Sequence, residues 1–227
     1  MKWNNKFTYP KSTRSIINGS RHYALDGSNL PSVTTILKAT RSEEDKAGIA
    51  VWKERVGHTE AERIKNEASS RGSSMHSFIE QFLLGKMNLD LLKEDNKSKI
   101  MADEIIDNGL KDKLKEVWGA EATVYYPGKY AGTADCIGLY EGRETILDFK
   151  QSNKPKKEEY IEDYFLQLGA YSLAHNTIYN SNITQGIILL CTVDILFQDF
   201  KIEGNELINF QNKFLERVEQ FYNKLNK

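Results

Sequence analysis

Two aspartates and a lysine occur in this chain where charged side chains are unusual. Asp135 follows small residues and precedes the apolar pair Cys136-Ile137, while Asp148 and Lys150 end an apolar run that starts at Thr145. Side chains alternate along a strand, so Asp148 and Lys150 should project from the same face. Two carboxylates on neighbouring strands can hold Mg²⁺, and a nearby ammonium can orient a water molecule or offset charge on a phosphate. This arrangement favours phosphodiester hydrolysis.

A purely structural explanation is open for an Asp-x-Lys sequence alone, because surface strands often alternate charged residues. Asp135 strengthens the chemical interpretation. The small residues 131–134 before it would allow a close backbone approach, and an apolar pair is an odd neighbour for a merely solubilising charge.

Length and composition indicate an ordinary globular protein. The chain has 227 residues, of which 40% are hydrophobic and 28% charged, and we favour one domain over two small ones. No apolar run approaches the roughly 18 residues that a membrane helix needs, so we expect a soluble protein without a membrane partner. The formal net charge is -1, so a polyanionic partner would have to be met by local basic patches and bound metal.

Cysteines and the N-terminus add two expectations. Cys136 and Cys191 are isolated, which fits a reducing compartment and leaves no basis for a zinc or iron-sulfur site. The first 25 residues contain basic residues and no acidic one, as transit peptides do. However, Asn18-Gly19 between two apolar segments favours a β-hairpin that belongs to the fold.

The spacing of apolar residues predicts helices in the first half of the chain and strands in the second. The expected helices are a short helix or strand over 33–37, a helix after 40–45 through Trp52 and Val56, a long helix over 59–84, and helices over 97–118, 157–179 and from 205 onwards. Predicted strands cover 122–126, 130–140 and 145–150 as an antiparallel set, then 186–193 and 195–202. The fold class should be α/β or α+β, with a central mixed β-sheet flanked by helices.

Five sequence motifs occur in the order found in one nuclease family. Gly132 to Asp135, Asp148 to Lys150, and Gln167 to Tyr171 match the GxxD, DxK and QxxxY signature of RecB-like nucleases, a group of the PD-(D/E)xK superfamily, which the chain resembles. His76 matches the helical histidine upstream in that group, and residues 31–37 resemble its N-terminal motif. Within the group, the chain is most similar to short mitochondrial and phage exonucleases that lack a helicase.

The resemblance implies a restriction-endonuclease-like core and a set of site residues. Residues 1–227 would form a single nuclease domain, with a helical part over about 40–118 and a sheet-containing catalytic core over about 119–227. Mg²⁺ or Mn²⁺ would be the cofactor, and its implied ligands are His76, Glu121, Asp135, Asp148 and the carbonyl of Phe149. Lys150 would position the attacking water, with Gln167 and Tyr171 facing the site from a helix. The implied DNA-binding residues are Thr34, Thr35, Arg71 and Gly72.

A purely structural role remains open for some of these residues. His76 could be a partly buried structural histidine, Tyr171 could pack in the core, and Thr34 and Thr35 could be β-branched residues that fill space. By resemblance, the function is that of a metal-dependent DNA exonuclease that prefers single-stranded ends, in replication, recombination or repair. A helicase or a single-strand-binding protein would be its partner, and we expect a monomer. The expected location is the cytoplasm of a bacterial or phage-infected cell, with the mitochondrion as the alternative.

Two other functions are compatible with the same fold. One is a sequence- or structure-specific endonuclease, which would cut circular DNA. The other is a catalytically inactive DNA-binding module, against which the intact Asp135, Asp148 and Lys150 argue. No GxxxxGK[ST] motif is present, so a helicase activity would have to come from a partner.

Overall fold

Helices and strands alternate in an order close to that expected. The computed structural model describes residues 1–25, 27–86 and 96–225. The strands are β1 (Lys2–Trp3), β2 (Thr13–Ile17), β3 (Ser20–Leu25), β4 (Ser28–Pro31), β5 (Leu114–Tyr126), β6 (Tyr130–Tyr140), β7 (Arg143–Ser152), β8 (Gln185–Thr192) and β9 (Phe197–Glu203). The α-helices are α1 (Val33–Ala39), α2 (Glu43–Val56), α3 (His58–Leu83), α4 (Asn96–Ile105), α5 (Glu162–Tyr179) and α6 (Asn205–Leu225).

Six strands form one mixed sheet in the order β1-β5-β6-β7-β8-β9. The β5-β6-β7 meander is antiparallel, β7 and β8 are parallel, and β8 and β9 are antiparallel. The predicted class, α+β with a central mixed sheet flanked by helices, is confirmed. Because all residues of β8 are buried, this strand lies in the middle of the molecule.

Alternation along the central strands divides the core into two layers. Ile146 and Ile188 pack with α5 and α6 on one face, whereas Leu147 and Leu189 pack with α3 and α4 on the other. Asp148 has the parity of Ile146, so it belongs to the α5 face of the sheet. The alternation therefore decides which helix each charged side chain of β7 meets.

Strands β2, β3 and β4 form a separate three-stranded sheet that packs on β6. Asn18 and Gly19 connect β2 to β3 with φ values of 51° and 73°, as a two-residue hairpin turn requires. The predicted hairpin is confirmed.

One predicted helix is wrong in its second half. The helix expected over 97–118 ends at Ile105, is followed by a π-helical turn over Ile106–Leu110, and is replaced by strand β5 from Leu114. The pairing of β5 with β6 shifts register twice, between Leu114 and Glu116 and between Val117 and Gly119. Leu114 and Val117, three residues apart, consequently share one buried face, and this irregular strand mimics helical spacing.

The other predicted elements are confirmed with small shifts. The 33–37 segment is the helix α1, and α5 begins at Glu162 after a short 3-10 turn over Glu158–Tyr160. Among the described residues, no helix is long and apolar enough to span a membrane.

His175 on α5 provides a test of the core by acid. Its side chain is fully buried between Tyr9, 3.1 Å from Nε2, and Ser181, 2.7 Å from Nδ1. The Ser181 hydroxyl donates to Asn176, so it accepts from Nδ1, and Nε2 accepts from Tyr9. Burial lowers the pKa of His175 to about 4, despite an opposing effect of Glu144.

We therefore expect the free energy of unfolding to fall as pH decreases from about 6.5 to 4, because the unfolded histidine takes up a proton that the folded one refuses. The loss attributable to this residue should approach about 3 kcal/mol at the acid end. Urea unfolding at pH 7.5, 5.5 and 4.5 measures it. His175→Gln should flatten the pH dependence and His58→Gln, at an exposed position, should not; equal slopes in all three proteins would contradict the expectation.

Candidate metal centre

A cavity of about 640 Å³ opens between the β2–β3 hairpin, the meander, α3 and α5. Nine of the predicted site residues line it: Thr34, Gly72, His76, Glu121, Asp135, Asp148, Lys150, Gln167 and Tyr171. These residues come from six different elements, so the fold brings together what the sequence separates by more than 130 positions.

Three potential metal ligands converge on one side of the cavity. One ligand atom each from His76, Glu121 and Asp135 lies within 4.8 Å of the other two. Asp135 is anchored because its Oδ2 accepts a 2.7 Å hydrogen bond from the backbone N–H of Phe149 on the adjacent strand. Burial raises the pKa of Asp135 to about 7, with His76 opposing and Asp148 reinforcing the effect. A cation at this point would compensate the buried negative charge.

Glu121 reaches this side of the cavity through an unusual backbone conformation. It lies inside β5, whereas the predicted strand began only at residue 122, and its neighbours Ala120 and Ala122 pair with Cys136 and Ala134. Glu121 is thus opposite Asp135. Its φ of 48° is left-handed, which costs a non-glycine residue about 1–2 kcal/mol.

The hydrogen bonds of His76 determine which ring nitrogen faces the carboxylates. Nε2 lies 2.9 Å from the carbonyl of Phe149, which can only accept, so Nε2 carries a proton. Nδ1 faces Asp135 and Glu121 at 3.6 and 3.8 Å. Burial lowers the pKa of His76, but the Asp135 and Glu121 carboxylates outweigh it and raise the pKa to about 9. A cation that binds at Nδ1 would displace the proton that this nitrogen carries in the charged form of the ring.

Asp148 and Lys150 form the floor on the α5 side. Asp148 is 1% exposed; its Oδ2 forms a close ion pair with Lys150 Nζ, and its Oδ1 has no hydrogen-bond partner in the described part of the chain. Lys150 also donates to Gln167 at 3.2 Å, and Gln167 donates to the Tyr171 hydroxyl at 3.0 Å. Burial lowers the pKa of Lys150, but the carboxylates of Asp148 and Asp135 raise it by more. The pKa is therefore raised overall, and the ammonium stays charged.

These donors fit a hard divalent cation. Carboxylate oxygens are the preferred ligands of Mg²⁺, and one imidazole nitrogen is compatible with Mn²⁺. Asp148 Oδ1 is buried without a hydrogen-bond partner in the described part of the chain, which a purely structural role for this carboxylate does not explain. His76 also has the arrangement common in metal sites, in which the other ring nitrogen donates to a backbone carbonyl.

Comparison with known proteins gives a consistent result. Mitochondrial genome maintenance exonuclease 1 of Xenopus tropicalis is 28% identical over 220 residues, covering 90% of this chain and 60% of that protein. The human protein of the same name is 27% identical over 206 residues (86% and 59%), and the mouse protein 28% over 211 residues (88% and 61%). The chain is similar to this group of exonucleases. The similarity predicted from the motifs is confirmed.

The chain spans about three fifths of the length of these mitochondrial exonucleases. No protein-family model matches the chain. The crystal structure of SSO0001 matches 45% of this chain and 49% of its own at 18% identity and a TM-score of 0.30, which is too low to assign a fold. Membership of the PD-(D/E)xK superfamily stays a prediction.

Three predicted site residues lie outside the cavity lining. Thr35 is buried at the start of α1, and its hydroxyl donates to the Arg21 carbonyl at 3.0 Å. Arg71 donates to Gln151 at 2.9 Å and to Asn153, which ties α3 to the end of β7. The ring of Phe149 packs in the α3 layer of the core, and only its backbone reaches the site, through Asp135 and His76.

Several cavity residues were missed by sequence reasoning. Arg14 donates to Thr133 at 2.8 Å and lies 3.7 Å from Glu121, and Arg21 lines the same wall. Glu80 lies one helical turn beyond His76, and burial together with Glu121 raises its pKa. The Asn18-Gly19 turn offered a signal for the arginines, because it fixes which hairpin residues share a face.

Proposed function

We propose that the chain is a metal-dependent deoxyribonuclease of the PD-(D/E)xK superfamily, built as one nuclease domain, that hydrolyses phosphodiesters from single-stranded DNA ends. One observation carries the proposal: His76, Glu121, Asp135, Asp148 and Lys150 line a single cavity, in which Asp148 Oδ2 is ion-paired with Lys150 and the buried Oδ1 has no partner in the described part of the chain. The similarity to proteins named as genome maintenance exonucleases supports it.

In this proposal, His76 Nδ1, Glu121, Asp135 and Asp148 would hold Mg²⁺ or Mn²⁺, with the Phe149 carbonyl as a further oxygen. Such a cation supplies a polarised phosphoryl oxygen and a more acidic bound water. Asp135 is kept in place by the Phe149 N–H, and His76 by the Phe149 carbonyl, so the two backbone polar groups of one residue orient two ligands. The ligand set is therefore held by the backbone of β7.

Lys150 contributes a charge and a proton donor. Its ammonium, held by Asp148 and Gln167, can donate to the attacking water or to a phosphate oxygen and offset the negative charge that develops there. Tyr171 orients Gln167 from one helical turn away. Gly72, with no side chain, leaves room for a DNA strand next to His76. Thr34, which also lines the cavity, offers a hydroxyl to a phosphate.

The wider setting is part of the proposal. We assign the activity to DNA replication, recombination or repair, with a helicase or single-strand-binding protein as partner and a monomer as the acting form. A cytoplasmic location in a bacterial or phage-infected cell remains our proposal, although the similar proteins carry a mitochondrial name.

End-labelled linear single-stranded DNA, incubated beside a closed circular copy with Mg²⁺, Mn²⁺ or EDTA, tests the activity. We expect metal-dependent loss of the linear strand alone, because an exonuclease needs a strand end and a closed circle has none. Cutting of the circle would replace the proposal with an endonuclease. Binding without cleavage in either metal would replace it with an inactive DNA-binding module.

A further inference from the structure

A second cavity of about 470 Å³ adjoins the candidate metal centre. Arg21 and Thr34 line both cavities, so together they form the border between the two. Beyond this border, the second cavity is lined by Ile16 and Ser20 of the hairpin and by Lys38 of α1. We call these five residues the hairpin groove.

The two cavities differ in charge. The first is lined by four carboxylates, those of Glu80, Glu121, Asp135 and Asp148, together with the cations Arg14, Arg21 and Lys150. Among the described residues, no acidic side chain lines the second, and its cations Arg21 and Lys38 have no carboxylate partner within ion-pair distance. A polyanion that leaves the acidic centre in this direction therefore meets two uncompensated positive charges.

The register of the hairpin aligns its side chains with this path. Arg14 pairs with Tyr23 and Ile16 with Arg21, so these four side chains share one face of the hairpin. Arg14 and Tyr23 line the metal cavity, Arg21 lines both cavities, and Ile16 lines the groove. One hairpin face thus runs continuously from the metal centre into the groove.

Arg21 is held at the border by its backbone. Its carbonyl accepts hydrogen bonds from the Ser32 N–H and from the Thr35 hydroxyl, both at 3.0 Å. Thr35 is itself oriented by the Ser32 hydroxyl at 2.8 Å. The Arg21 side chain is exposed, and so is Ile16, which is 70% exposed and apolar. These two hydrogen bonds fix the backbone of Arg21 at the border, from which its exposed side chain can reach a ligand.

We propose that the hairpin groove binds the nucleotides of the DNA strand next to those in the metal cavity. Arg21 and Lys38 bind backbone phosphates, Ile16 packs against a base, and Thr35 is a positioning residue that acts through Arg21. This inference rests on the proposed function, because the strand must enter the metal cavity for the groove to hold its continuation.

Fluorescence anisotropy with labelled oligothymidylates of 4 and 12 nucleotides, in EDTA to prevent cleavage, tests the groove. Arg21→Ala combined with Lys38→Ala should weaken binding of the 12-mer about tenfold and lower the slope of log affinity against log salt by about 0.7 for each lost contact. The 4-mer should be affected much less. Lys115→Ala is the matched control, since Lys115 is exposed about 20 Å along β5 from Glu121.

The role of Thr35 is tested by its two conservative replacements. Thr35→Val keeps the shape but removes the hydroxyl, and should weaken 12-mer binding several-fold, whereas Thr35→Ser should restore it. A purely structural role would instead lower the melting temperature of both without separating their affinities.

Failure of the groove is distinguishable from failure of the proposed function. Unchanged 12-mer affinity and salt slope in the Arg21/Lys38 double variant would overturn the groove even if the wild-type protein degrades DNA with Mn²⁺. Wild-type protein that binds the 12-mer through these residues but never cleaves it with metal would overturn the nuclease proposal and support the groove.

Discussion

Replacement of Asp148 by alanine is expected to reduce metal-dependent DNA cleavage by at least about a thousandfold, the scale of losing a metal ligand and its electrostatic stabilisation of the transition state. Asp148 is buried, its Oδ1 has no hydrogen-bond partner in the described part of the chain, and its Oδ2 is the ion-pair partner of Lys150. Its removal affects both the cation and the orientation of the ammonium.

Single-turnover cleavage of labelled single-stranded DNA, together with calorimetric titration of Mn²⁺, measures this effect. Asp199→Ala, at an exposed position on β9, is the matched control and should behave as wild type. Breaking a buried ion pair can cost about 3–5 kcal/mol, so Asp148→Asn, which preserves the shape, is compared where Asp148→Ala unfolds. Wild-type cleavage by a folded Asp148 variant would remove the metal centre from the proposal.

Part of the candidate site was predictable because strand alternation is a local property. Asp148 and Lys150 were expected on one face, and in the structure Lys150 contacts both Asp148 and Gln167 of α5, while the Phe149 ring packs in the other layer. The spacing of residues along one strand or one helix was sufficient for that. The order of the motifs further predicted that α3 and α5 converge on the site, which the periodicity of single elements cannot predict.

The rest depends on contacts between distant segments. Arg14 and Arg21 reach the cavity only because the hairpin packs on β6 through Tyr23 and Ala131, more than 100 residues apart. The helix expected over 97–118 failed because two register shifts in β5 put Leu114 and Val117 on one face. Periodicity assumes a regular partner, and β5 departs from regularity where it delivers Glu121 to the metal centre.

Substitution of Gly132 by alanine is the second change with a large expected effect. A Cβ at this position would overlap Cε1 of Tyr171 at a distance that real contacts do not show, and would also lie a tight 3.1 Å from its hydroxyl oxygen. Tyr171 is 4% exposed and its ring is packed in the core, so it cannot simply rotate away. We expect a loss of about 1–3 kcal/mol in the free energy of unfolding from overpacking.

Cleavage should fall more steeply than stability, by about a hundredfold, because misplacement of a positioned group by 1 Å is enough for such a loss. Tyr171 orients Gln167, which in turn holds Lys150 beside Asp148. A displaced Tyr171 ring therefore moves the ammonium. The packing of Tyr171 against Gly132 therefore links the glycine of the GxxD motif to the proposed catalysis without a contact to DNA.

Gly72→Ala is the matched control for the effect on stability, since Gly72 also lines the cavity but its added Cβ would lie no closer than 3.6 Å to Gln151. In helix α3 it should retain or raise stability, by up to about 1 kcal/mol. Combining Gly132→Ala with Tyr171→Leu should relieve the overlap, so the two unfolding penalties should sum to more than the penalty of the double variant. Strictly additive penalties would mean that Gly132 and Tyr171 do not compete for the same space, and the packing explanation of the motif would fail.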